Sequence, residues 1–171
     1  MDFLELAKKR YSTRSFSDKK TEEADLGYIL EAGRCANSAK NLQPQIIYVA
    51  ESDAALAAVN ESARVYGAPT VLVCCARKSA AWESPFTGRN SAETDVAICM
   101  THMELAAAAR GVGSVWICRF DEVKLHAALS LPSDVTIFGL LALGYADGTP
   151  ASEPSPRHAD RKPLDETVKR I

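Results

Sequence analysis

No hydrophobic run in this sequence approaches the roughly 18 residues that a membrane-spanning helix requires. There is no Cys-x-x-Cys pair, and no histidine is spaced to complete a zinc site. The five cysteines, at positions 35, 74, 75, 99 and 118, are odd in number, which argues against a disulfide framework and predicts a reducing compartment. The first ten residues hold Asp2, Glu5 and three basic side chains with no apolar stretch behind them, so a secretory leader is not expected and a cytoplasmic location is. Neither sign of charge is in large excess. Twenty Lys plus Arg stand against 22 Asp plus Glu, and the resulting −2 gives no overall attraction to nucleic acid or to an anionic membrane. There is no internal repeat.

What is present is an ordinary globular composition, 47% hydrophobic and 25% charged over 171 residues, expected to form a single domain over 1–171. A chain of this size buries roughly 70% of its unfolded surface, so it needs no covalent staple. The near-neutral total conceals an uneven distribution. Residues 1–20 carry six basic and three acidic side chains, and 151–171 carry five and four, so the middle of the chain is at −6. Positive charge is concentrated at the two ends.

Apolar periodicity and capping residues predict a short helix after Asp2, ending before Arg10, and a second from about Thr21 with Leu26, Ile29, Leu30 and Gly33 on its inner face. Gln45 to Ala50 reads as a strand and Asp53 to Val65 as a helix entered through Ser52. The uninterrupted run Val71 to Ala76 suits a central strand covered on both faces, although periodicity alone does not separate it from buried helix. Residues 77–91 read as a loop that acts as a lid over a site, with Trp82 and Phe86 as its aromatics. A long buried helix is expected from Thr94 or Asp95 to a cap at Gly111. Ser114 to Ile117 is a short strand, Asp121 to Leu129 a capped helix, and Val135 to Tyr145 a strand interrupted by Gly139 and Gly144. This irregular alternation defines an α+β class. Four of the eight prolines fall within fourteen residues of the tail, at 150, 154, 156 and 163, which makes 150–171 an extended arm.

Three segments concentrate polar chemistry. Arg10-Tyr11-Ser12-Thr13-Arg14-Ser15-Phe16 offers two guanidiniums and three aliphatic hydroxyls, a combination suited to phosphate, although on residue types alone a solvated basic turn is the commoner reading. Asn37-Ser38-Ala39-Lys40-Asn41-Leu42-Gln43-Pro44 leads into a strand and offers amides and hydroxyls to a heteroaromatic edge, or simply turns the chain. Gly111-Val112-Gly113-Ser114-Val115-Trp116-Ile117-Cys118 ends a helix with two glycines that permit close backbone approach; it lacks the third glycine of a dinucleotide fingerprint. Cys74 and Cys75 lie in the expected core strand, where thiols act as small hydrophobes.

In this order, the three segments resemble the nitroreductase family of flavin enzymes. Arg10, Ser12, Arg14 and Phe16 match its opening Arg-x-Ser-x-Arg-x-Phe; Ser38, Asn41, Gln43 and Pro44 match its second hallmark. Asp95 through Ile117 matches its long helix and Gly-rich turn, and Arg161-Lys162-Pro163-Leu164 matches its closing Arg-x-Pro-Leu. The resemblance implies a central, mostly antiparallel sheet flanked by helices, in an intertwined homodimer whose 150–171 arm docks on the partner subunit. It implies FMN as cofactor and NAD(P)H as electron donor. Electrons pass through flavin N5 to a nitroaromatic, quinone or similar acceptor by a ping-pong mechanism. The alternative is a flavin-binding carrier or sensor without turnover. Arg10, Ser12, Arg14 and Arg161 are implied to hold the flavin's phosphate, ribityl and pyrimidine side, and Ser38 and Asn41 to reach it from the other subunit. Backbone N–H groups at Ile117, Cys118 and Arg119 are implied to line its ring. No side chain is implied as a catalytic acid or base, and no metal. Asn37, Gln45, Ala159, Cys118 and Arg119 depart from the family's usual residues; Ala159 stands where a basic phosphate contact is common, and Arg119 is placed to narrow the site or attract an anionic substrate.

Overall fold

The computed structural model describes residues 2–171. Ten regular elements follow one another: α1 (Phe3–Lys9), α2 (Glu23–Arg34), β1 (Gln45–Ala50), α3 (Asp53–Ser62), β2 (Thr70–Arg77), α4 (Ala92–Ala109), β3 (Gly113–Ile117), α5 (Glu122–Ala128), β4 (Val135–Gly144) and α6 (Leu164–Thr167). The four strands form one fully antiparallel sheet in the order β1-β2-β4-β3. Local signals start the helices as expected. The side chains of Asp2, Ser52 and Asp121 accept backbone N–H groups from Leu4, Ala55 and Lys124, capping α1, α3 and α5.

The continuous apolar run of β2 is explained by cover on both faces. Leu72, Cys74 and Ala76 pack with Leu26, Ile29, Met100 and Met103 of α2 and α4. Val71, Val73 and Cys75 pack on the other side with Val59 of α3, Leu125 of α5 and Leu140 of β4. The period of two thus splits one strand between two cores. Each fully buried leucine, such as Leu72 and Leu141, contributes about 1.5–3 kcal/mol. The thiols behave as core hydrophobes: burial pushes Cys75 up to about 12 and Cys99 up to about 11.

Several boundaries differ from expectation, for physical reasons. The second helix begins at Glu23 and not at Thr21, a shift of the size usual at helix ends. The helix from Asp53 stops at Ser62, because Ala63 turns extended to bridge Phe120. The long helix starts at Ala92 and not at Thr94 or Asp95: Asn90 Oδ1 accepts the Ala92 N–H at 3.0 Å, so the first turn forms earlier and Asp95 lies inside it. At its other end Gly111 sits at φ +73°, with Gly111 N–H donating to Ala108 O and Val112 N–H to Ala107 O, a double C-terminal closure that only a left-handed residue permits. Gly139 does not interrupt β4. The ladder pairs Cys74 with Gly139 and Cys75 with Ile137, so Phe138 forms a bulge within a continuous strand. Residues 82–91 form a hairpin stub closed by a Glu83–Asn90 bridge and carry the exposed Phe86 at its tip.

Candidate cofactor-binding site

The first polar segment is built onto the edge of the sheet. After α1, Thr13 N–H donates to Ser114 O at 2.8 Å, and Ser17 N–H donates to Tyr145 O at 2.9 Å. Thr13 and Phe16 are buried in this contact. The approach is close enough that a Cβ on Gly113 would lie 2.8 Å from Thr13 Oγ1 and 3.2 Å from the Gly144 carbonyl, so β3 must begin with glycine. The segment is held from the far side as well: Ser15 Oγ donates to Asp147 Oδ2 at 2.6 Å. That bond, with two more from Thr149, lowers the Asp147 pKa to about 2.

Anchored in this way, Arg10, Tyr11, Ser12 and Arg14 line a small pocket of about 200 Å³ whose opposite wall comes from the tail: Ser155, Arg157, His158 and Arg161. Among the described residues no carboxylate lines it. The His158 ring holds the two walls together, with Nε2 2.9 Å from the Lys8 carbonyl and its edge against the Tyr11 ring. Arg161 Nη1 donates to the carbonyls of His158 and Asp160, which orients its guanidinium. Arg10 is tied from behind: its Nη1 meets Glu104 Oε1 at 3.0 Å, and Glu104 is nearly buried on α4. Burial raises the Glu104 pKa, and the Arg10 guanidinium partly offsets it. Among the described residues Arg14, Arg157 and Arg161 form no ion pair. Three uncompensated guanidiniums on a pocket this small form a seat for an anion with several acceptor oxygens.

The structure therefore brings together Arg10, Ser12, Arg14 and Arg161 from opposite ends of the chain. The other residues singled out in the sequence lie elsewhere. Ile117 and Arg119 line an open groove of about 940 Å³ opposite Asn60 to Gly67, with Cys118 exposed beside them. Ser38 lines a third pocket with Trp82 and Arg89, and Asn41 lines none of the three. The Ser38–Gln43 loop is strained, with left-handed backbone at Lys40, Asn41 and Gln43. It is pinned by Asp95, whose Oδ1 accepts the Ala39 N–H at 2.9 Å and whose Oδ2 accepts Ser91 Oγ–H at 2.8 Å. Sequence reasoning missed Arg157 and His158. They stand beside Ala159 and supply positive and polar groups to the pocket that Ala159 itself lacks. It missed Glu104 too, because no local pattern links position 104 to position 10.

The sequence profile described as the nitroreductase family matches residues 7–65 and 57–145. The chain belongs to the nitroreductase family of oxidoreductases. A Thermus thermophilus protein named NADH dehydrogenase is 33% identical over 201 residues, covering 98% of this chain and 95% of that one. Among solved structures, a nitroreductase family protein of Clostridium difficile 630 is 35% identical with a TM-score of 0.92, covering 99% of this chain and 98% of that one. A structure described as an oxidoreductase containing FMN shares the nitroreductase fold at 20% identity and a TM-score of 0.79, with 96% of this chain and 89% of that one covered. Across the described residues no helix is long and apolar enough to cross a membrane.

Proposed function

We propose that this chain is an FMN-dependent oxidoreductase that takes electrons from NAD(P)H and passes them, by a ping-pong mechanism, to an electron-poor acceptor such as a nitroaromatic or a quinone. The observation that carries the reading is the convergence of Arg14, Arg157 and Arg161, none of them in an ion pair, on one small pocket without a carboxylate. The charge and size of that pocket fit the terminal phosphate of FMN. Each charge-assisted contact contributes about 1.5–3 kcal/mol, so the seat holds a dianion firmly without burying it. Ser12 adds a hydroxyl at the same wall, and Arg10 is held in position by Glu104.

The backbone N–H groups of Ile117, Cys118 and Arg119 are assigned to the edge of the flavin ring, where fixed donors stabilise negative charge as it develops. Ser38 and Asn41 lie apart from the arginine pocket, and we assign them to the flavin site of a second subunit. The arm supports that assembly: every residue from Ala159 to Ile171 is exposed, including Leu164, Val168 and Ile171, whose apolar side chains are suited to cover on a partner. When bound, FMN supplies the two-electron chemistry by accepting hydride at N5 from NAD(P)H and returning electrons to the acceptor. The relatives' names, NADH dehydrogenase and NAD(P)H nitroreductase, support that choice of donor.

The test is anaerobic. Protein reconstituted with FMN is expected to be yellow, to run as a dimer on sizing, and to bleach on addition of NADH or NADPH. Protein that stays colourless after reconstitution refutes the cofactor assignment. Yellow protein that neither nucleotide bleaches refutes the reductase and leaves a flavin carrier.

A further inference from the structure

The open groove below Ile117 holds a second, separate pair of arginines that the phosphate seat does not use. Residues 60–67 and 117–121 meet through an antiparallel bridge between Ala63 and Phe120, reinforced by a 2.9 Å bond from Asp121 N–H to Ser62 O. Extending that register by one residue makes Arg64 and Arg119 facing backbone positions, and both side chains line the groove. Like charges in that position repel unless something negative lies between them. Among the described residues neither side chain forms an ion pair; both are exposed and both line the groove.

The two carboxylates of the groove are otherwise engaged. Glu61 meets Lys124 Nζ at 3.2 Å, and Asp121 caps the N-terminus of α5 by accepting the Lys124 N–H at 3.0 Å. Arg64 is held in place at the same time. Its guanidinium lies over the Tyr66 ring, 5.0 Å from the centroid. Tyr66 itself is held at φ +60°, a left-handed conformation unfavourable for a bulky residue, ahead of Gly67 at φ +76°. A strained tyrosine thus presents an arginine face-on, and a second arginine stands across from it. The groove offers one arginine stacked on an aromatic ring and a second, exposed arginine on the facing segment.

We propose that Arg64 and Arg119 select an acceptor that is aromatic and carries an anionic substituent, so that the enzyme reduces acidic nitroaromatics or quinones in preference to neutral ones. This rests on the oxidoreductase reading for the chemistry but not for the binding, and the experiment separates the two. The protein with FMN added is titrated calorimetrically with benzoate and with its neutral isostere benzamide, which require no turnover. Steady-state reduction of 4-nitrobenzoate and 4-nitrobenzamide is measured in parallel.

Benzoate is expected to bind at least tenfold more tightly than benzamide, and the advantage is expected to shrink with added salt. Arg64→Ala or Arg119→Ala should abolish most of it and lower the ratio of kcat/KM for the acid to that for the amide by about the same factor. Arg157→Ala serves as the control for binding in the phosphate seat. Equal binding of benzoate and benzamide overturns the proposal. So does a benzoate advantage that survives both groove variants, or one that falls with Arg157→Ala and not with Arg64→Ala. Selective benzoate binding in protein that NAD(P)H fails to bleach refutes the reductase and keeps the groove. Bleaching without benzoate selectivity does the reverse.

Discussion

Arg10 and Arg14 lie four residues apart on the same pocket, but the structure separates what each one does. Arg14 is exposed and in no ion pair, so Arg14→Ala removes a ligand contact and little else. Its expected effect is a loss of about 1.5–3 kcal/mol of FMN binding, or roughly 10- to 150-fold in Kd, with an almost unchanged melting temperature. Arg10→Ala removes the same kind of contact and also strands Glu104, whose side chain is only 11% exposed. Breaking a fully buried pair costs about 3–5 kcal/mol; with the Arg10 side chain 21% exposed, about 2–3 kcal/mol is the appropriate figure here. For a domain of this size that is a fall of roughly 5–10 °C in Tm.

The sign of the pH effect follows from Glu104. Its folded pKa lies above its unfolded value, so the folded state prefers the neutral acid, and the cost of ionising it rises as pH climbs from its ordinary value of 4.5 through the raised one. Arg10→Ala should therefore be milder at pH 4.5 than at pH 8, and Arg10→Ala/Glu104→Gln should recover most of the lost Tm without recovering FMN affinity. Thermal melts of the FMN-free protein, with flavin fluorescence titrations alongside, measure both quantities. Equal Tm values for Arg10→Ala and Arg14→Ala at pH 8, or no recovery in the double variant, would refute the claim that Glu104 depends on Arg10.

Three further outcomes are expected. Asp147, with its pKa lowered to about 2 by bonds from Ser15 and Thr149, contributes stability that is complete above its ordinary value of 3.8 and lost as pH falls toward 2; Asp147→Asn should flatten that acid limb in a series of melts. Gly113→Ala places a methyl 2.8 Å from Thr13 Oγ1 and 3.2 Å from a backbone carbonyl, so it should cost about 1–3 kcal/mol and weaken FMN retention by pushing the Arg10–Arg14 segment off the sheet edge. Native protein should titrate two of its five thiols with Ellman's reagent, Cys35 and Cys118, with Cys74, Cys75 and Cys99 reacting only on unfolding.

Much of the scaffold was legible in the residues. Val71 to Ala76 has no polar break, which marked a segment covered on all sides; its being a strand and not a buried helix was settled by its pairing with β1 and β4. Gly111 closes α4, which ends at Ala109, because the chain needs a left-handed residue there. The helix start at Ala92 was hidden, because the Asn90 side chain accepts the Ala92 N–H and the first turn forms ahead of the expected Thr94 or Asp95, and Asp95 bonds a loop 56 residues away instead. The bulge at Phe138 was equally invisible, since register belongs to a pair of strands and not to either alone.

By itself the sequence determined the element types, the family, and the presence of arginines at both ends of a nearly neutral chain, because propensity, periodicity and motif spacing are local properties. Only the tertiary structure decided where the charges meet. It placed Arg157 and His158 beside Arg14 across more than 140 residues of chain, tied Arg10 to Glu104, and set Arg64 opposite Arg119 through a single backbone bridge. Coulomb energy depends on distance in space, and separation along the chain carries almost no information about that distance until the sheet has formed.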